Sequence, residues 1–259
     1  MFMLLINPER TSERMYEWME RTFRKARHQK AVLGLSGGLD SAVVAFIAAN
    51  SIGKDNLECV KLPYRTSSPS SIADADKIIE ILGVKSRTVD ISGIADAFSA
   101  SLSSVDPHRF GNVLARIRMT VLFDIAGETG SLVLGTSNKS ERYLGYGTIY
   151  GDLASVVNPI GELYKTQVRD LAKFIGVPQE IIDKKPSADL IEGQTDEGDF
   201  GFSYHEADEI LDAIYDEKKS KLDVTNLGYN LDLIDEVLDR VRFNEFKKEI
   251  PYIFDPRAF

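Results

Sequence analysis

The sequence predicts a doubly wound parallel α/β sheet with helices on both faces, followed by a helical segment toward the C-terminal end. Two observations lead there. Between residues 31 and 135, short apolar runs alternate with helix-forming stretches in β–α–β–α order, which puts helices on both faces of a parallel sheet. One of the joints, Ser36-Gly37-Gly38-Leu39-Asp40-Ser41, runs straight from the apolar stretch Ala31–Leu35 into the small, apolar helix candidate Ala42–Ala49. Two adjacent glycines suit a tight turn from a buried strand into a closely packed helix. With 259 residues, 43% of them hydrophobic, the chain is long enough for one well-buried domain, or a main domain with a small appendage, and is expected to form one domain over 1–259 rather than two full ones.

Each element has its own signal. Thr11–Arg27 reads as an amphipathic helix with Met15, Trp18, Met19 and Phe23 on its apolar side. Leu57–Leu62 is a strand ending at Pro63, Ser71–Leu82 a helix stopped by Gly83, and Ser86–Ile91 a third strand. Asn112–Ala126 is a long helix carrying Val113, Leu114, Ile117, Val121, Leu122 and Ile125 inward, and Ser131–Gly135 is the strand after it. Glu162–Ile175 is a helix closed by Gly176-Val177-Pro178. The capping-box spacing of Ser203 and Glu206 opens a helix to Tyr215, and a last helix spans about Leu231–Phe246. The polar tract Asp189–Phe202 reads as a mobile loop, expected to act as a lid over a bound nucleotide.

Composition excludes several classes of function. A formal net charge of −9 argues against general binding to nucleic-acid backbones. A single cysteine, Cys59, rules out an internal disulfide or a cysteine-based metal cluster and fits a reducing compartment. Its setting in a strand makes it a packed thiol rather than a nucleophile. The apolar start Met1–Ile6 is cut off by Asn7-Pro8-Glu9, too short for a signal-peptide core or a membrane span. A cytoplasmic protein with no membrane partner is expected.

In such sheets, ligands bind beyond the carboxyl ends of the strands. The Ser36 loop lies at one such end, where converging backbone N–H groups, the helix dipole and the Ser36 and Ser41 hydroxyls suit a phosphate. A Walker-type loop would carry a lysine near its end, whereas this one carries Asp40. A carboxylate beside a polyphosphate implies an intervening divalent cation, here Mg²⁺. The hexapeptide resembles the S-G-G-x-D-S pyrophosphate loop of the ATP pyrophosphatase superfamily, whose members cleave ATP between the α and β phosphates. The resemblance implies the adenine nucleotide alpha-hydrolase-like fold, with a core over about 28–190. The loop alone does not choose among NAD, GMP and asparagine synthetases and tRNA-modifying enzymes.

The later segments make that choice. Gly135-Thr136-Ser137-Asn138-Lys139-Ser140-Glu141 follows its strand as the Ser36 loop follows the first, and Glu141 reads as a second Mg²⁺ ligand. The segment Leu144–Asp152 interleaves glycines with tyrosines, suiting close approach and ring stacking. With Leu163-Tyr164-Lys165-Thr166-Gln167-Val168 and Pro186-Ser187-Ala188-Asp189-Leu190, these segments resemble ammonia-dependent NAD synthetase from about Leu33 to Leu211. The resemblance implies ATP contacts at Gly34, Leu35, Ser36, Gly37, Gly38, Leu39, Asp40, Ser41, Lys61, Thr136, Lys165 and Ser187. It implies Mg²⁺ at Asp40 and Glu141, and catalysis by Asp40 and Lys165. The dinucleotide substrate, deamido-NAD, is expected at Arg116, Tyr150, Asp152 and Lys247, with ammonia as nitrogen donor and a homodimer as the assembly. Arg116 and Arg118 both match the family's N-x-x-A-R-x-R-M helix; residues two apart do not share a helix face, and Arg116 is the expected contact. The chain departs from the family pattern at Ile149, Val156 and Phe246, all near the expected dinucleotide pocket.

Overall fold

The computed structural model describes residues 4–102, 106–187 and 195–254. Its elements in chain order are α1 Pro8–Ala26, β1 Lys30–Gly34, α2 Leu39–Ser51, β2 Leu57–Lys61, α3 Pro69–Leu82, β3 Lys85–Thr88, α4 Ser92–Ala100, α5 Pro107–Thr129 and β4 Ser131–Leu134. They continue with α6 Lys139–Leu144, α7 Lys165–Ile175, α8 Gln179–Ile182, α9 Asp196–Phe200, α10 Tyr204–Leu211, α11 Lys221–Thr225 and α12 Leu231–Asn244.

The four strands pair in parallel in the order β3-β2-β1-β4. The chain therefore winds from β1 to one side through β2 and β3, then returns to the other side as β4. That reversal opens a crevice between the carboxyl ends of β1 and β4. A parallel bridge from Leu134 to Val157 extends the sheet past β4. Beyond Thr88, Val89 N still donates to Lys61 O at 2.9 Å and Ile91 N to Pro63 O at 3.0 Å. The expected strand 86–91 is shortened to β3 because Pro63, opposite it, has no N–H to continue the ladder.

Each face of the sheet has its own core. On one, α2 and α3 cover the strands and α1 and α7 pack outside α2, joined through Met19, Phe23, Val43, Ile47, Ile78, Val168 and Leu171. On the other, α5 lays Met119, Leu122, Ile125 and Ala126 against Val32, Val60 and Val133, while Ile91, Ala95 and Leu114 join α4 to α5. Almost every residue of α2 is buried, as its small, uniformly apolar sequence requires. Cys59 lies in this interior, where burial, aided by Glu58, pushes its thiol up to about 12. Within α5, Val113, Ile117 and Val121 are only half-buried, and Ala115 and Met119 take the inward places instead. Trp18, expected on the apolar side of α1, is 40% exposed; Ser12, Met15, Met19 and Phe23 form the buried stripe.

The C-terminal half builds a separate core from α6 and α9 to α12, centred on Leu144, Tyr164, Phe200, Tyr204, Ile210, Ile234 and Val237. The helix expected to run to Tyr215 gives way after Leu211 to a π-helical turn, Asp212–Asp216. Residues 189–194 of the expected lid lie outside the described residues. Residues 195–202 form not a loop but α9 and a turn, anchored by the buried, stacked rings of Phe200 and Phe202 with centroids 5.5 Å apart. Among the described residues, no helix is long and apolar enough to cross a membrane.

Candidate active site

A cavity of about 1060 Å³ opens where the sheet reverses, bounded by the Ser36 loop, the Gly135 loop, α5 and α12. The Ser36 loop is braced by its own hydroxyls: Ser36 Oγ lies 3.0 Å from Ser41 Oγ, Gly38 N donates to Ser36 Oγ at 3.2 Å, and Ser41 Oγ donates to Gly38 O at 3.1 Å. Gly38 precedes α2 and brings no capping side chain. The first-turn N–H groups of α2 thus meet the cavity without a side-chain acceptor, as an anion site requires.

Asp40, in that first turn, faces Glu141 across the crevice, and Lys165 lies between them. The Lys165 ammonium contacts Asp40 Oδ2 and lies 3.1 Å from Glu141 Oε1. Asn138 organises both carboxylates. Its Nδ2 donates to Asp40 Oδ1 at 3.0 Å, its backbone N donates to Glu141 Oε2 at 3.2 Å, and its Oδ1 accepts from Glu141 N at 3.0 Å. The last two bonds are the capping box of α6. The same local pattern that starts the helix therefore aims Glu141 into the cavity.

Asp196 lies close enough for its charge to act on both Lys165 and Glu141. It is 3% exposed; its Oδ2 accepts from Tyr204 Oη at 2.9 Å, while its Oδ1 is buried with no hydrogen-bond partner among the described residues. Asp40 and Glu141 thus pair with the Lys165 ammonium, and the charge of Asp196 adds to theirs. Burial pulls the Lys165 amine down, but Asp40 and Glu141 outweigh it and hold the group above its ordinary value. Burial pushes Glu141 up to about 8; Lys165 opposes that rise and Asp40 adds to it.

Of the other expected nucleotide contacts, Gly34, Leu35, Leu39, Lys61, Thr136 and Ser187 line the same cavity, with Lys61 paired to Asp76. Gly37 is not in the lining; it turns away to form the base of the loop against α3. Asp152 lines the cavity and accepts from Thr148 N at 2.9 Å. Lys247 reaches it from beyond α12, donating to Gly145 O at 2.6 Å. Gly145 permits this approach, since a Cβ there would stand 2.1 Å from Asn244 Cβ.

Arg116 and Tyr150 are not brought into this cavity. Arg116 is exposed and its Nε donates to Ile149 O at 3.1 Å; Tyr150 is 63% exposed. Arg118 lines the cavity instead, its Nε donating to Leu62 O at 3.1 Å. Two residues along a helix turn the side chain by about 200°, so only one of the pair faces inward. The choice is set by Met119 and Leu122, whose burial against the sheet fixes the roll of α5.

Reading the sequence alone also misses Asp196 and Phe243. Asp196 sits in a polar tract with no periodic signal. Phe243 is 81% exposed on α12 yet lines the cavity, offering a flat apolar surface. The capping-box spacing from Asn138 to Glu141 is the one local signal that reveals how a carboxylate here is oriented.

Comparison with known proteins identifies the family. The family model described as NAD synthase matches residues 11–251. The NH(3)-dependent NAD(+) synthetase of Fusobacterium nucleatum is 42% identical over 248 residues, covering 96% of each chain. The structure of an NH3-dependent NAD synthetase from Campylobacter jejuni superimposes with a TM-score of 0.82 at 34% identity, over 96% of this chain and all of that one. An NMN synthetase from Francisella tularensis gives a TM-score of 0.87 at 31% identity, over 97% of this chain and all of that one. A family match over nearly the whole length, on a sheet that brings both glycine-loop carboxylates to one lysine, means that this chain belongs to the NAD synthase family.

Proposed function

We propose that this chain converts deamido-NAD to NAD⁺ with ATP and ammonia, releasing AMP and pyrophosphate. The observation that carries the reading is the meeting of Asp40, Glu141 and Lys165 beside the uncapped amino end of α2. In the first step a nicotinate carboxylate oxygen bonds to the α-phosphorus of ATP and the bond to the β-phosphate oxygen breaks, expelling pyrophosphate. Ammonia then adds to the activated carbonyl carbon. The carbonyl–AMP oxygen bond breaks, one proton leaves the nitrogen, and the amide and AMP result.

The chain's part is positioning and charge. The α2 amides and the Ser36 and Ser41 hydroxyls suit the pyrophosphate that leaves, and Lys165 suits the α-phosphate as it gathers negative charge. Neither step needs an enzyme nucleophile, consistent with the buried, raised Cys59 thiol.

Mg²⁺ fits this site. Asp40 and Glu141 offer hard oxygen donors to one crevice, and among the described residues Lys165 is the one cation in ion-pair contact with either. When bound by Asp40 and Glu141, Mg²⁺ would neutralise phosphate charge. Asp40→Ala is therefore expected to lower turnover by about 10²–10³-fold with the fold retained. Chelation of divalent cations should stop product formation in the unsubstituted chain until Mg²⁺ is restored. Undiminished NAD⁺ formation by Asp40→Ala would refute the metal role.

Ile94, Phe98 and Phe123 on α4 and α5, with Tyr150 and Val156 after α6, are large apolar side chains left exposed. They support a homodimer as part of the proposal, with Arg116 and Tyr150 at the dinucleotide from outside the single-chain cavity; sedimentation checks it. A cytoplasmic setting goes with ATP and ammonia as co-substrates. The likeness to the Francisella NMN synthetase favours a second reading, in which the acid acceptor is the nicotinate mononucleotide. The deciding assay follows AMP and the amide product from each acid acceptor, with ammonium or glutamine. NAD⁺ from deamido-NAD and ammonium alone supports the main reading, preference for the mononucleotide the second. No amide from either acceptor overturns both.

A further inference from the structure

Lys165 is the first residue of α7, where the helix dipole opposes a positive charge. The residue before it, Tyr164, supplies no side-chain cap to the opening turn. The missing acceptor comes from another helix. Asp208 of α10 accepts through Oδ2 from Thr166 N and from Thr166 Oγ1, both at 2.9 Å, and through Oδ1 from Ser140 Oγ. Ser140 Oγ in turn accepts from Lys165 N at 2.8 Å. One carboxylate thus holds Thr166, the residue after Lys165, directly, and through Ser140, the residue preceding Glu141, the N–H of Lys165 itself.

The grip is reinforced next door. Asp216, at the end of the π-helical turn, accepts from Lys139 Nζ at 2.6 and 2.8 Å and from Tyr164 Oη at 2.9 Å. Lys139 and Ser140 precede Glu141, and Tyr164 and Thr166 flank Lys165. The second core therefore holds the neighbours of both active-site side chains through two carboxylates, the buried Asp208 and the 38% exposed Asp216.

We propose that Asp208 is a positioning residue. Through Ser140 and Thr166 it sets the first turns of α6 and α7, so that the Glu141 carboxylate and the Lys165 ammonium meet Asp40. The inference rests on Lys165 acting in the reaction proposed above. Asp208 is fully buried, and burial pushes its carboxyl up to about 6 against the hydrogen bonds that lower it. A carboxyl raised in the fold costs stability once ionised at neutral pH, so its retention answers to geometry rather than to stability.

The test compares Asp208→Asn and Ser140→Ala with the unsubstituted chain. Asparagine keeps an acceptor toward Thr166 but presents a donor to Ser140; Ser140→Ala removes the link to Lys165 N and carries the test should Asp208→Asn not fold. The expected result is a fall in kcat per folded molecule of at least about tenfold, with KM for ATP changed by less than about threefold, because positioning is lost at the transition state rather than in binding. A second readout needs no turnover. Acetic anhydride labelling of Lys165, normalised to exposed Lys30, should rise at least about fivefold, while alkylation of buried Cys59, a reporter of general opening, stays unchanged. Turnover within threefold of the unsubstituted chain with Lys165 labelling unchanged would overturn the proposal, and so would Lys165 and Cys59 becoming reactive in parallel. If the unsubstituted chain makes no amide, the reading of the reaction fails, and the labelling comparison still decides the role of Asp208.

Discussion

Lys165→Met is expected to lower NAD⁺ turnover by about 10²–10³-fold while KM for ATP moves by less than about tenfold, measured by steady-state production of AMP. Methionine keeps the length and apolar stem of lysine and deletes only the charge. At 4% exposure, Lys165 is shielded from water, so its ammonium acts through a medium that screens weakly. That charge is worth most when the α-phosphate carries most negative charge, in the transition state. Its ground-state role is smaller, because the amides at the head of α2 and the Ser36 and Ser41 hydroxyls remain to bind the nucleotide.

The same substitution leaves Asp40 and Glu141 without the cation between them. Removing one partner of a buried ion pair costs about 3–5 kcal/mol when the charge left behind has no escape. Here it has one. Burial already holds Glu141 at about 8, on the protonated side at neutral pH, and losing Lys165 removes the charge that opposes that rise. The variant should therefore lose activity far more than stability. A collapse of thermal stability with activity per folded molecule preserved would mean that Lys165 is structural.

What the sequence makes legible is what is contiguous in it. The Ser36 loop and the Gly135–Glu141 segment each carry strand end, turn and helix start in one stretch, so their carboxylates can be assigned to the crevice without knowing the rest of the molecule. The order of apolar runs likewise predicts the parallel sheet. Legibility stops where a side chain's direction depends on a distant partner. Arg116 and Arg118 stand in the same local pattern, and only the packing of Met119 and Leu122 against Val32 and Val133 turns Arg118 inward. Trp18 fits the apolar period of α1, yet Met15, Met19 and Phe23 fill the contact with the neighbouring helices α2 and α7 and leave the indole 40% exposed. Asp196 and Asp208 lie far along the chain from Lys165, and no spacing rule links acidic residues across that distance. The second core that delivers them, closed by Phe200, Tyr204 and α12, is a tertiary property.

The Ser36 loop contains two glycines whose replacement should have opposite consequences. Gly37→Ala is expected to weaken ATP binding by at least about 10²-fold and to cost about 3–5 kcal/mol of stability, whereas Gly38→Ala should cost about 1 kcal/mol or less and retain nucleotide binding. Gly37 has φ +78°, a region in which an alanine is strained by about 1–2 kcal/mol before any contact is counted. Its Cβ would also lie 2.0 Å from Ser71 O and 3.2 Å from Ala75 N. Those are backbone atoms of α3, which cannot rotate aside, so either α3 or the loop must move, and moving the loop displaces the amides at the head of α2. Gly38 has φ −91°, and a Cβ there would meet only Ser36 Oγ, at 3.3 Å. A serine hydroxyl can turn to another staggered position, so the site absorbs a methyl group with little change. Calorimetric ATP titration and thermal unfolding of the two variants separate the cases. If Gly37→Ala binds ATP within threefold of the unsubstituted chain, the close approach of α3 is not what holds the phosphate loop in shape, and the rigid framing of the site must be sought in its serine hydroxyls instead.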